Sequence, residues 1–104
     1  KIHQKLPVVI QNSAEAFVYH TNQLSSQKDV AKVNISVLEK EIKRFGSLFL
    51  EKAATKKQLD DLEGNLEILN AQLKTIDSQK VTVYAELESV KAQILQIEDQ
   101  MKRS

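Results

Sequence analysis

The fold is decided by residues 59–101, which read LDDLEGNLEILNAQLKTIDSQKVTVYAELESVKAQILQIEDQM. Side chains recur there at alternating steps of three and four residues, and all of them are apolar except Lys80, which lies between Ile76 and Val83. An average step of about 3.5 residues keeps them on one side of an α-helix, which is the heptad pattern of a coiled coil. We call this row the C-terminal stripe, and its members are Leu59, Leu62, Leu66, Leu69, Leu73, Ile76, Val83, Leu87, Val90, Ile94 and Ile97.

The C-terminal stripe predicts a long helix that needs a second helix beside it, because an isolated helix would expose the whole stripe to water. That helix comes from another copy of the chain, from another protein, or from the N-terminal half of this chain. We expect another copy, so the stripe is the predicted self-association seam of a homodimer or higher oligomer. Neutral amides fill all but one of the g positions and cannot select a partner by charge. These positions are Gln58, Asn65, Gln72, Gln79, Glu86, Gln93 and Gln100.

A weaker stripe with the same spacing runs through the N-terminal half of the chain. Thr21 and Lys28 interrupt it, and residues 25–29 are rich in side chains that compete for backbone hydrogen bonds. The sequence therefore predicts an N-terminal helical segment over residues 1–35 with a break near residues 25–29. We call this row the N-terminal stripe, and its members are Ile10, Ala14, Phe17, Thr21, Leu24, Lys28, Ala31, Ile35, Leu38, Ile42, Phe45 and Phe49.

The two stripes fall out of phase between Phe49 and Leu59, which are ten residues apart. Either a continuous helix shifts its register by three residues, or the chain turns. The event is expected near residues 46–55, inside a coiled-coil region that covers residues 36–104. Signals for a helix end and for a new helix start are both present. They are Gly46 after Lys43 and Arg44, and Thr55 followed by Gln58.

These patterns predict an all-α fold class. We expect an elongated coiled coil built on the long C-terminal helix, preceded by shorter N-terminal helical segments. An antiparallel helical hairpin, in which the two halves of the chain pack on each other, is the alternative. Only two glycines and one proline are present, so few further reversals of the chain are expected.

Large apolar residues also cluster just before the predicted junction. They are Phe45, Leu48, Phe49 and Leu50, and they cover more than one side of a helix. One interpretation is a core plug at a register change or hairpin turn. The other is a docking patch for a different protein, because exposed apolar patches mark interfaces.

Composition restricts the compartment and the partners. No apolar run approaches the roughly 20 residues that a membrane span needs, so no membrane partner is expected. The chain contains no cysteine, which favours an intracellular location in the cytoplasm or nucleus. Net charge is +1, and the basic residues near the middle of the chain are interleaved with glutamates. This distribution argues against nucleic acid as a partner.

No catalytic, cofactor or metal site is predicted, and we expect no enzyme activity. His3 and His20 lie far apart without a second ligand at metal-binding spacing. Asp60, Asp61 and Glu63 form an acidic cluster, but a solvated helix face offers no cleft of the kind that a catalytic pair of carboxylates needs. The expected function is therefore that of a structural interaction module, which self-associates and holds a larger protein or complex together. The alternative is a heterotypic adaptor or scaffold helix that binds a different protein through its seam and apolar patch.

Overall fold

The computed structural model describes residues 2–103, without the side chains of residues 2–7, 9 and 10. Ile10, the first member of the N-terminal stripe, lies outside the described side chains. Over the described residues the chain is all-α. Helix α1 covers Ile2–Leu50 and helix α2 covers Lys56–Arg103, with lengths of 49 and 48 residues.

Helix α1 is continuous through residues 25–29, so the break predicted there is wrong. The expectation of shorter N-terminal segments is wrong for the same reason. Leu24 and Ala31 flank the polar stretch and are both buried. Helices in proteins are stabilised mainly by the packing of one face, which outweighs the few tenths of a kcal/mol that each serine or aspartate costs in helix propensity.

Helix α1 also passes through Gly46 and ends four residues later, at Leu50. The amide of Ala53 donates to the carbonyl of Leu48 at 2.7 Å, and the amide of Lys52 donates to the carbonyl of Phe49 at 3.0 Å. This pair of hydrogen bonds is the Schellman motif. Its left-handed residue is Lys52, with φ of 62°, where glycine is the usual occupant.

Helix α2 begins with the capping box that the sequence predicts. The amide of Thr55 donates to Oε1 of Gln58 at 2.9 Å, and the amide of Gln58 donates to Oγ1 of Thr55 at 3.1 Å. Each side chain thereby satisfies one of the backbone amides that a helix start leaves without a partner. The chain therefore turns between Leu50 and Lys56, which leaves no continuous helix in which to shift the register.

The chain forms two compact units. The turn-proximal unit covers Ser26–Asp77 and contains the end of α1, the turn and the start of α2, which makes it an antiparallel helical hairpin. The terminal unit contains the part of α1 up to Ser25 and the part of α2 from Ser78 onward.

In each unit the stripes supply the least exposed side chains. Ala31 is buried in the turn-proximal unit, and Leu24 and Val83 are buried in the terminal unit. The other stripe members with a described side chain are half-buried, except for Ala14, Phe49 and Ile97, which are exposed. Each stripe is covered by only one neighbouring helix, so partial burial is the expected result for a helix pair.

Candidate interaction surface

The predicted self-association seam is largely half-buried within the single chain. Val83 is buried, and Ile97 is the exposed member, with 44% of its surface accessible. The remaining nine members are half-buried. In the turn-proximal unit, the half-buried members of the seam lie on α2, which faces α1. That they also contact a second chain stays a prediction.

The four residues of the predicted docking patch do not share one exposed surface. Phe45 and Leu48 are half-buried. Phe49 is 39% exposed, and Leu50 is 81% exposed at the last position of α1. The guanidinium of Arg44 lies 5.2 Å from the centroid of the Phe45 ring, which is within the range of a cation–π contact. The half-buried Phe45 and Leu48 therefore suit the core-plug interpretation, and the exposed Phe49 and Leu50 suit the docking interpretation.

A groove lies between the two helices of the turn-proximal unit, and sequence reasoning did not single it out. Its volume is about 360 Å³. Its lining includes Leu38 and Leu69, which belong to the stripes and are half-buried, and Val37 and Ile68, which have 54% and 58% of their surfaces exposed. The full lining is Asn34, Val37, Leu38, Glu41, Asn65, Ile68 and Leu69.

Residues seven positions apart lie on nearly the same side of a helix, so the groove defines two rows on each helix. We call the surface made by these four rows the groove face. Its side chains are mostly aliphatic residues, amides and one threonine, and it includes the exposed Val30. On α1 the rows are Gln27, Asn34, Glu41 and Leu48, and Val30, Val37 and Arg44. On α2 they are Gln58, Asn65 and Gln72, and Asp61, Ile68 and Thr75.

The other side of the same hairpin is strongly charged. Nζ of Lys28 on α1 lies 2.7 Å from Oδ1 of Asp77 on α2, so the row of Asp77 borders α1. Charged and polar residues occupy the rows on this side at the same seven-residue spacing. They are Asp29, Lys32, Ser36, Glu39, Lys43, Asp60, Glu63, Glu67, Asn70, Lys74 and Asp77. Depletion of charge is typical of the centre of a protein interface, and here it distinguishes the groove face from the opposite side.

The terminal unit carries exposed apolar side chains of its own. Val81, Tyr84 and Leu95 on α2 lie off the stripe and are exposed, as are Val18 and Tyr19 on α1. The hydroxyl of Tyr19 accepts a hydrogen bond from Nε2 of Gln23 at 2.6 Å, one turn away on the same helix. Scattered exposed apolar residues are normal on a protein surface.

Within the described residues, neither helix contains a stretch apolar and long enough to cross a bilayer. The same part of the chain brings no three metal-ligating side chains together.

The chain matches no known protein-family model, and neither a curated protein nor a solved structure is significantly similar to it. The surface chemistry of the hairpin is therefore what supports a function.

Two signals in the sequence point to the groove face. Val30 and Val37 are seven residues apart and lie off the N-terminal stripe. The g positions of the first half of α2 are uncharged, although they flank the stripe where charged residues are common. These signals become a surface only when the antiparallel pairing of the helices is known, because that pairing brings the two sets together.

Proposed function

We propose that the chain is a structural protein-interaction module: a helical hairpin that self-associates and so holds a larger protein or complex together. It acts in an intracellular compartment, consistent with the absence of cysteine. Its partners are further copies of itself and other proteins, and it uses no cofactor and catalyses no reaction.

The observation that carries the proposal is the incomplete burial of the hairpin. Among the described side chains, only Leu24, Ala31 and Val83 are buried. Large apolar residues such as Val37 and Ile68 remain more than half exposed beside the stripes. A two-helix layer gains stability when a further layer covers it, because association removes this apolar surface from water.

The absolute mass of the purified chain, measured by light scattering over a concentration series, tests this proposal. We expect the mass to rise with concentration from the 11.8 kDa of one chain to a stable multiple of it. Circular dichroism of the same samples is the control and should show high helix content at every concentration. A helical chain that keeps the monomer mass up to about 1 mM, the weak end of measurable affinities, would contradict self-association.

A heterotypic adaptor is the second candidate function, and Leu50 favours it. This residue is 81% exposed beside the turn, the highest value among the large apolar side chains that the structure describes. In this alternative the end of α1 receives a different protein, with Leu50 and Phe49 inserted into a pocket of that protein. Monomeric behaviour of the pure chain is the outcome that distinguishes this candidate from self-association.

A further inference from the structure

We propose that the groove face is the interface with a second copy of this chain. The two hairpins lie side by side with their turns at the same end, related by a two-fold axis that runs parallel to the helices. The product is a four-helix bundle over the turn-proximal units. This inference rests on the proposed self-association and names the surface and the orientation that it uses.

The level of each residue along the hairpin is set by its distance from the turn. In an antiparallel pair, residues at the same level are equally distant from the turn, so their residue numbers add up to a constant value. The numbers of Lys28 and Asp77, whose side chains are in contact, add up to 105. The groove is lined by residues from 34–41 of α1 and from 65–69 of α2, and the midpoints of these two stretches also add up to about 105. Both observations therefore agree on the levels.

The outer rows of the groove face are matched in level by the same rule. Val37 lies level with Ile68, because their residue numbers add up to 105. Arg44 lies level with Asp61, and Val30 lies level with Thr75, because each of these pairs of residue numbers also adds up to 105. A two-fold axis parallel to the helices places α1 of one copy on α2 of the other without changing these levels.

The matched rows are chemically complementary in this orientation. Val37 meets Ile68 of the second copy, and Val30 meets Thr75 of the second copy. Arg44 meets Asp61 of the second copy, and the symmetry creates this pair of opposite charges twice. Neither residue takes part in an ion pair within the described part of its own chain. A copy turned end for end would instead place Arg44 against Val30, so complementarity favours the orientation with both turns together.

The inner rows agree with this orientation. Glu41 lies level with Asn65, and Asn34 lies level with Gln72, because both pairs of residue numbers add up to 106, which is within one residue of the outer rows. In the proposed dimer, Glu41 therefore meets Asn65 of the second copy, and Asn34 meets Gln72 of the second copy. Each pair combines a side-chain acceptor with an amide donor, and no like charges oppose each other.

The size of the groove face suits a dimer interface. It runs from Gln27 to Leu48 on α1, about 30 Å at about 1.5 Å per residue, and two helices side by side are about 20 Å wide. These helix dimensions give a projected area of about 600 Å², and the accessible area of a corrugated helical face is larger. A stable interface buries about 800 Å² on each partner, so the two areas are comparable.

Charge reversal tests the proposed contact, with the dimer dissociation constant measured by sedimentation equilibrium. Arg44→Asp alone and Asp61→Arg alone each replace two attractive pairs by two repulsive ones. Each variant should weaken the homodimer by about tenfold or more. An equimolar mixture of the two variants should form a heterodimer about as stable as the wild-type dimer, because its interface again pairs opposite charges at both positions.

The neighbouring residues Lys43 and Asp60 provide matched controls, because both are exposed and lie on the charged side of the hairpin. Lys43→Asp and Asp60→Arg change the net charge and the helix-end electrostatics in the same way as the test variants. Both controls should dimerise like the wild type. Circular dichroism should show that all four variants remain helical.

The outcomes separate this inference from the proposed function. Rescue in the mixture supports the interface, because a folding defect in each variant would not be repaired by mixing. A wild-type dimer that both test variants leave unchanged would overturn the interface and retain self-association. A wild-type chain that stays monomeric would overturn both.

Discussion

At the scale of single residues, Lys52 is the least expected feature of the chain. It adopts φ of 62° to close the Schellman motif, a conformation that costs an L-residue with a side chain about 1–2 kcal/mol. The sequence shows no glycine between residues 47 and 63, so this C-cap could not be predicted from composition. The capping box of Thr55 and Gln58 could be predicted, because its signal is local and needs only the spacing of two residues.

We expect Lys52→Gly to raise the free energy of unfolding by about 0.5–1 kcal/mol, because glycine adopts the left-handed conformation without the steric cost. The greater conformational entropy of glycine in the unfolded chain offsets part of this gain. Chemical denaturation followed by circular dichroism measures the change. Lys40→Gly is the matched control at an exposed helical site, and it should lower stability by about 1 kcal/mol. Equal losses in both variants would show that Lys52 is not strained.

At the scale of the helices, the periodicity predicted α2 well and α1 incompletely. The C-terminal stripe is uninterrupted apart from Lys80, and α2 extends over all of it. The N-terminal stripe is interrupted by Thr21 and Lys28, so local propensity suggested a break that the structure lacks. Packing against a helix distant in sequence keeps α1 continuous, and a propensity argument cannot include that contact. The choice between a register shift and a turn near residues 46–55 also depends on this contact between distant helices, so the sequence alone left it open.

The stripes and the exposed apolar residues should respond differently to the same substitution. Leu73→Asp places a charge on the half-buried stripe and should lower the free energy of unfolding by about 2–4 kcal/mol. Leu95→Asp changes a side chain that is 65% exposed and should cost less than about 1 kcal/mol. Thermal or urea unfolding at low protein concentration compares the two variants. Similar losses would indicate that the stripe assignment does not describe the packing.

At the scale of the whole molecule, the sequence supplied the fold class and the structure supplied the chemical sidedness of the hairpin. All-α structure and the long C-terminal helix follow from the stripes, whereas the continuity of α1 through residues 25–29 does not. The groove face does not follow from either helix alone, since Val37 and Ile68 lie on different helices and come together only through the antiparallel pairing. The stripes therefore pack the two helices of the hairpin against each other, and the groove face is the proposed contact with a second copy.

This division of roles depends on the two helices pairing within one chain, which a distance measurement tests most directly. Lys32 and Lys74 are both exposed and lie at the same level of the hairpin, and the native chain has no cysteine to interfere with labelling. Spin labels would be attached to the cysteines of a chain that carries both Lys32→Cys and Lys74→Cys. The labelled chain would be diluted with excess unlabelled protein, so that only distances within one chain are measured. Pulsed electron paramagnetic resonance measures the distance between the two labels. Helices in contact have axes about 8–10 Å apart, so with the label arms we predict a distance of about 15–30 Å. A distance of about 60 Å, as in one continuous helix at about 1.5 Å per residue, would contradict the hairpin and the interface built on it.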